Sequence, residues 1–541
     1  MAAMDVRSGL HPQTTAPWWR EAVFYQIYPR SFADSDGDGV GDLRGIFSRL
    51  DYLAGTERSL GVDAIWLSPF FKSPMVDGGY DVADHCAVDP VFGTLDDFDA
   101  LVAEAHRRGL RVIVDLVVNH TSDQHPWFLE SRSSRASAKR SWYVWRPGRD
   151  GGPPNNWCSE FGGPAWTYDP ATDEWYLHSF APQQPDLNWD EPAVEAAMHE
   201  VMRFWLRRGV DGFRVDVVHK IGKDPLLRDN LGTFVGPSHH RPGHRFDEDW
   251  PSVHPRLRRM RRVVKEFGER MMVGEVYLLD QAAMAMYVRW DDELDLAHNF
   301  HFMNLPWSAD LIRTAVCELD RLLEPRGWPT WCLNNHDHPR VASRYPGEAA
   351  ARLSAVLLLT LRGTPFLYQG EELGLRDGAI PEEQRVDVAG RDPARCPLPW
   401  EPPSVAGPGA GFTAGNPWLP IAPDAETRAV SRQLDDPQSV LSLYRALLAL
   451  RRREPALRVG SMAVFDGTGP VLAYRRGVPT ASLLVLLNFD GQPATVRAAD
   501  VGRLAIRGTI EVSTTMDDLG RGVEAPEVEL GPFEGLVLRE A

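Results

Sequence analysis

Val210-Asp211-Gly212-Phe213-Arg214-Val215-Asp216-Val217-Val218 reads as a short buried strand carrying a base and an acid two residues apart. Side chains alternate faces along a strand, so Arg214 and Asp216 point to one side. Alone, an Arg-x-Asp pair is most simply a structural ion pair. Two further stretches change that reading. Met271-Met272-Val273-Gly274-Glu275 is an apolar strand ending in a carboxylate, and Trp331-Cys332-Leu333-Asn334-Asn335-His336-Asp337 is another ending in His-Asp. Three carboxylates at the C-terminal ends of three strands mark a catalytic face.

Outward from these stretches, strands and helices alternate. Ala22 to Pro29, Ala64 to Leu67 and Arg111 to Val118 read as strands one to three. The strand from Val210 is the fourth and Met271 to Glu275 the fifth. Leu294 to Phe300 is a weak sixth, Thr330 to Asn335 the seventh and Thr364 to Gln369 the eighth. Helical periodicity covers Ile46 to Leu60, Leu95 to Arg108, Pro192 to Arg208, Arg256 to Arg270, Ala349 to Leu361 and Gln438 to Arg452. Thr94 and Gly109 bracket the second of these helices as N-cap and terminator. The basic 256–270 helix reads as a solvated face, as do Lys220, Lys223 and Arg228. Alternation with short links predicts an α/β fold, a (β/α)8 TIM barrel.

Between Thr121 and Asp186 the alternation stops. Six tryptophans among Gly, Pro and Ser predict a small domain inserted after strand three and leaning over the site, one or two of its rings available to stack on a ligand. From about residue 456, short apolar runs such as Ala481 to Asn488 predict a C-terminal antiparallel β-domain. The expected organisation is a flexible tail over 1–17, the barrel over 18–120 and 187–455, the insertion over 121–186 and the β-domain over 456–541.

Composition excludes several classes. The 541-residue chain carries a formal net charge of −17, which argues against nucleic acid and anionic membrane surfaces. Five scattered cysteines without a CxxC pair favour reduced thiols over a disulfide framework or zinc site. The first 17 residues lack the apolar core of a signal peptide, and the longest apolar run is too short to cross a bilayer, so a cytoplasmic protein is expected.

One loop predicts a cation. In Asp34-Ser35-Asp36-Gly37-Asp38-Gly39-Val40-Gly41-Asp42, the carboxylates of Asp34, Asp36, Asp38 and Asp42 and the Val40 carbonyl can converge on a hard ion. An EF-hand would need Glu where Gly45 stands, so the expectation is one structural Ca²⁺ or Mg²⁺ in a single loop.

These residues together resemble the α-amylase superfamily, glycoside hydrolase family 13, over essentially the whole chain. Its four signatures stand as Asp115-Leu-Val-Val-Asn119-His120, Gly212-Phe-Arg214-Val-Asp216, Gly274-Glu275-Val and Asn335-His336-Asp337, in the family's order. Gln184-Pro185-Asp186-Leu187-Asn188 and Gly390-Arg391-Asp392 with Pro397 to Trp400 are similar to segments of the oligo-1,6-glucosidase subfamily. Cys396 departs from that pattern, where threonine is usual.

The resemblance implies roles. Asp216 is the nucleophile, kept ionised by Arg214; Glu275 is the general acid/base; Asp337 is the third carboxylate, binding sugar hydroxyls. His120 and His336 would donate to hydroxyls of the −1 glucosyl unit. Tyr80 would stack on that sugar while Asp81 clamps its 4- and 6-hydroxyls, which implies exo-action. Arg391 or Arg395 would add a contact, and Glu371 would line the entrance. Val217, after the nucleophile, is similar to the residue of enzymes that accept α-1,6 bonds. No cofactor is expected for the chemistry. The implied activity is a retaining exo-α-glucosidase acting on α-1,6 or α-1,4 bonds of short substrates. A transglycosylase or isomerase of the trehalose synthase or sucrose isomerase type is the alternative, and a non-catalytic scaffold subunit a remote one.

Overall fold

The computed structural model describes residues 16–231 and 244–541. Most of the expected N-terminal tail, residues 1–15, lies outside them.

Eight strands form one all-parallel sheet: β1 (Phe24–Ile27), β2 (Ala64–Leu67), β3 (Arg111–Val117), β4 (Gly212–Asp216), β5 (Met271–Gly274), β6 (Leu296–Ala297), β7 (Thr330–Cys332) and β8 (Thr364–Tyr368). The order is β6-β5-β4-β3-β2-β1-β8-β7. Contacts across the sheet show that it curls into a barrel. His298, just past β6, packs 5.3 Å from Trp66 of β2 and 4.8 Å from Phe366 of β8, ring centre to ring centre. Strands this far apart in the order meet only inside a cylinder, the (β/α)8 architecture.

Period-2 alternation divides two cores. Phe24, Ala64, Trp66, Ile113, Met271, Val273, Leu296, Cys332 and Phe366 fill the barrel. Their neighbours Tyr25, Ile65, Val112, Val114, Phe213, Val215, Met272 and Leu367 face the helices outside. The same alternation places Gln26, Asp115, Arg214, Asp216 and Glu275 above the apolar floor, at the C-terminal mouth. Gly212 is required at the floor: a Cβ there would lie 2.2 Å from the Met271 carbonyl oxygen.

Strands one, four and six are shorter than their apolar runs, because parallel pairing ends where the chain turns into loops. Residues 46–60 form no single helix but two short ones, Leu43–Ser48 and Leu50–Leu53. The basic helix, Val253–Lys265, is not a solvated face throughout. Arg256 and Arg261 are buried, Arg256 on Asp190 and Arg261 2.6 Å from Asp295.

Between β3 and β4, Trp145–Arg146, Trp166–Asp169 and Glu174–Leu177 make a three-stranded antiparallel sheet. Trp145, Trp157 and Trp166 are buried in this unit. Past the barrel, Ser461–Phe465, Val471–Val478, Ala481–Asn488, Gly535–Glu540, Ile506–Ser513 and Gly522–Ala525 pair in that order as an antiparallel sheet. Buried Arg476 fastens it to the barrel, donating to the carbonyls of Thr360 at 2.6 Å and Leu457 at 3.0 Å. No helix among the described residues is long and apolar enough to cross a membrane. No disulfide joins any of the five cysteines.

Candidate active site

Arg214 is the hub of the barrel mouth. Its Nη1 donates to Asp216 Oδ1 at 2.6 Å and to Asp115 Oδ1 at 2.7 Å, and its Nη2 to Glu275 Oε2 at 2.6 Å. The side chain is buried, with Trp66 and Tyr80 rings 5.0 and 5.7 Å from its guanidinium carbon. One planar fork thus spans the ends of β3, β4 and β5, a task an ammonium cannot perform.

One guanidinium cannot neutralise three carboxylates, and this changes the electrostatics. The Asp216 carboxyl is pushed well above its usual range, first by burial; Arg214 pulls it down, while Glu275 and Asp115 push it further up. The expectation that Arg214 keeps Asp216 low is therefore reversed in net direction. Asp216 and Glu275 are thus held side by side, on Nη1 and Nη2 of the same guanidinium.

The backbone contributes as well. Val217 adopts the left-handed conformation, φ 31° and ψ 44°, unusual for a β-branched residue. That costs about 1–3 kcal/mol. The twist turns the Val217 N–H onto Glu275 Oε2 at 3.2 Å, so strain beside the nucleophile orients the neighbouring acid.

Asp337 sits on a second network. Its Oδ1 accepts from Arg395 Nη2 at 2.8 Å and Arg391 Nη1 at 3.0 Å. Burial alone would raise its carboxyl, but the arginines Arg391, Arg395 and Arg214 hold it well below the ordinary range. Burial also pushes His336 well below the usual histidine value. His336 is therefore neutral and the arginines dominate. Gln26 Nε2 donates to His336 Nδ1 at 2.8 Å, which leaves the ring hydrogen on Nε2, 3.2 Å from Asp337 Oδ2. Tyr80 stacks on the same imidazole at 5.3 Å.

Asp81 does not reach the pocket. Its carboxylate accepts from Ser73 Oγ at 2.9 Å, Val76 N at 2.9 Å and Asp77 N at 3.0 Å, and so closes its own loop. Burial raises it to about 6 against those hydrogen bonds. Asp77 takes its place at the mouth, accepting from Gln184 Nε2 at 2.8 Å and from Arg391 Nη2. The Gly78-Gly79 bend puts the carboxylate four residues earlier on the pocket side; two acids flank that bend, and spacing alone does not choose between them.

Arg391 and Arg395 both reach the site, and both bind carboxylates there. His120 lies within 3.2 Å of Gln184 Nε2 and beside Phe180. Phe161 lies 5.4 Å from the Arg391 guanidinium carbon. These phenylalanines, not the tryptophans, are the rings that the insertion brings to the site. Glu371 is not at the entrance: it is buried, accepting from Tyr444 OH at 2.9 Å. Lys220 is buried and Lys223 half-buried, and both are paired rather than solvated. Lys220 joins Glu160 at 2.7 Å to Glu248 at 2.6 Å, and Lys223 lies 3.0 Å from Asp186.

In the acidic loop, one oxygen each of Asp34, Asp36 and Asp42 lies within 4.8 Å of the others. Asp38 is outside that group, its Oδ1 accepting from Val40 N at 2.7 Å. Thr413, from far along the chain, donates to Asp34 Oδ2 at 2.5 Å. Gly45 is required by packing: a Cβ would meet the Ala33 carbonyl oxygen at 2.0 Å.

Residues 26–460 match the family model described as the catalytic domain of alpha amylase. The chain belongs to the α-amylase family. It is accordingly a glycoside hydrolase. It is 44% identical to a probable alpha-glucosidase of Rhizobium meliloti, over 88% of this chain and 90% of that one. It is 38% identical to an oligo-1,6-glucosidase of Parageobacillus thermoglucosidasius, over 96% and 99%. Among solved structures, an alpha-glucosyl transfer enzyme, XgtA, superposes with a TM-score of 0.89 at 42% identity, covering 97% of this chain and all of that one.

Proposed function

We propose that this α-amylase family member is a retaining exo-α-glucosidase that releases terminal glucose from short α-linked oligosaccharides and disaccharides. The observation that carries this is that the two terminal nitrogens of one guanidinium, Arg214, hold Asp216 and Glu275. Carboxyls bound to one guanidinium leave no room for the water that inversion needs between them, so Asp216 attacks the anomeric carbon directly. Attack requires an ionised Asp216 and a proton on Glu275. Positive charge developing at the anomeric carbon beside Asp216 favours the ionised nucleophile. Glu275 then protonates the leaving oxygen, and in the second step takes a proton from water.

The minus side is closed. Asp77, Arg391 and Asp337 bridge the end of the pocket where the non-reducing sugar ends. Hydroxyls there meet carboxylates and a guanidinium, and a longer chain would have to break two ion pairs. This supports exo-action and a clamp built on Asp77. The relatives' names support short substrates, and buried Val217 favours tolerance of α-1,6 bonds. The 42% identical transfer enzyme keeps a second reading open, in which a sugar rather than water meets the glucosyl-enzyme.

Purified enzyme, beside an Asp216→Asn control, is incubated separately with isomaltose, maltose, sucrose and trehalose. Glucose from isomaltose or maltose in the wild type alone supports the hydrolase. A rearranged disaccharide with little glucose moves the protein to the transfer reading, and no turnover of any substrate overturns both.

The acidic loop is read as a cation site on Asp34, Asp36 and Asp42, structural rather than catalytic. Hard carboxylate oxygens at this spacing suit Ca²⁺ or Mg²⁺. Chelation is expected to lower Tm by a few degrees without a proportional loss of activity before unfolding. An unchanged Tm in EDTA, with no metal found by elemental analysis, removes the ion. Five cysteines outside any disulfide favour a reducing, cytoplasmic setting.

A further inference from the structure

The loop after β8 is exposed at residues 381–386 and again at 388–390, and one side chain in it turns inward. Val386 and Val388 are 59% and 58% exposed, yet the side chain of Asp387 between them is only 2% exposed. Two apolar residues facing water around one buried acid is the reverse of what burial energetics selects, so something specific holds Asp387 in.

That something is the pair of arginines on the catalytic face. Asp387 Oδ1 accepts from Arg391 Nη2 at 2.5 Å and from Arg395 Nη1 at 3.3 Å. Its Oδ2 accepts from the backbone of Arg391 at 2.7 Å. Asp392 Oδ2 in turn accepts from the backbone N–H groups of Val386 and Asp387, at 2.8 and 3.1 Å, and fixes the turn. Each arginine presents its remaining nitrogen to Asp337 Oδ1. Arg391 continues to Asp77. Long guanidinium side chains lose rotamer entropy on being fixed, and a buried carboxylate behind both removes that loss from the substrate-binding step.

We propose that Asp387 is a positioning residue for the −1 subsite: it sets Arg391 and Arg395 so that Asp337 and Asp77 meet the sugar in fixed orientation. It does not touch the substrate; it acts through the arginines. The inference rests on the glucosidase reading above.

The test uses the full-length enzyme and an aryl α-glucoside, with Asp387→Asn, Arg391→Ala and the double variant. Tm is measured for each. Asp387→Asn is expected to lower kcat/KM on the order of 30-fold, mostly in kcat, with Tm within a few degrees of wild type. In the Arg391→Ala background the same change is expected to cost less than about threefold more, because its main lever is gone. Losses that multiply independently, or a normal kcat with raised KM, overturn the proposal. So does a variant within threefold of wild type. If Asp387→Asn does not fold, Asp387→Glu replaces it: a loss in kcat at unchanged Tm supports the positioning role, and full activity overturns it. A wild type inactive on every α-glucoside instead fails the glucosidase reading, a different result from an active wild type with an indifferent Asp387.

Discussion

Two arginine networks meet at the pocket, and they are built differently. Arg214 stands on a strand inside the barrel; its partner Asp216 ends that same strand, and Asp115 and Glu275 stand on or just beyond the two neighbouring strands. Arg391 and Arg395 stand on a long loop; of their partners, Asp77 and Asp387 lie on two loops and Asp337 just beyond β7. The first network is fixed by sheet register, where Asp115 pairs directly with Arg214. The second has no register, and its geometry depends on carboxylates that pull the arginines into place. A strand-borne hub should fail all at once when altered, whereas a loop-borne hub should fail by degrees.

The sharpest break is at Arg214. Arg214→Lys keeps the charge but reaches only one of three carboxylates. Uncompensated buried charge costs about 3–5 kcal/mol. With both catalytic carboxyls misoriented, kcat/KM is expected to fall by about 10³-fold or more. Tm should fall with it. Near-wild-type kinetics would show that the hub is dispensable and would undo the contrast.

The second break separates Asp77 from Asp81. Charged hydrogen bonds are worth about 1.5–3 kcal/mol each, so Asp77→Asn is expected to lower kcat/KM on the order of 10²-fold with little change in Tm. Asp81→Ala leaves Ser73 and two backbone N–H groups unpartnered and should show the opposite balance, a fall in Tm of about 2–4 °C with the smaller kinetic loss. The reverse ranking would return the sugar clamp to Asp81.

This contrast also explains what was legible in the sequence. Alternation along a strand converts spacing directly into geometry, so Arg214, Asp216 and Glu275, and the division between barrel floor and mouth, follow from residue order. Loops carry no such rule. Asp77 and Asp81 are both aspartates and flank the same Gly-Gly bend; only the hydrogen bonds of Ser73 and Val76 show which one is consumed internally. Thr413 bonds to Asp34 across 379 residues, and Asp387 to Arg395 across the turn capped by Asp392, contacts that local spacing does not encode. The net rise at Asp216 was hidden for another reason: sequence shows that Arg214 is near, but not that two other carboxylates share it.

The smallest effect concerns the base of the loop that carries Arg391 and Arg395. Glu371 opens the turn after β8, buried against Tyr444, and burial raises it to about 8 from an ordinary value near 4.5, with the Tyr444 hydrogen bond opposing. The folded state therefore keeps a proton there that the unfolded chain has already lost, so between these values the folded form binds more protons. Its contribution to stability is complete below about pH 4.5 and is lost as pH rises through about 8. Glu371→Gln mimics the protonated form and cannot ionise. Thermal unfolding followed from pH 5 to pH 9 should show Tm falling with pH less steeply in the variant than in wild type, and the two curves should lie nearest each other at the acidic end. Parallel curves would mean that Glu371 does not titrate in this range. If the loop-borne network rests on this turn, activity in the wild type should decline at alkaline pH ahead of global unfolding, and Glu371→Gln should delay that decline while leaving the Arg214 hub untouched.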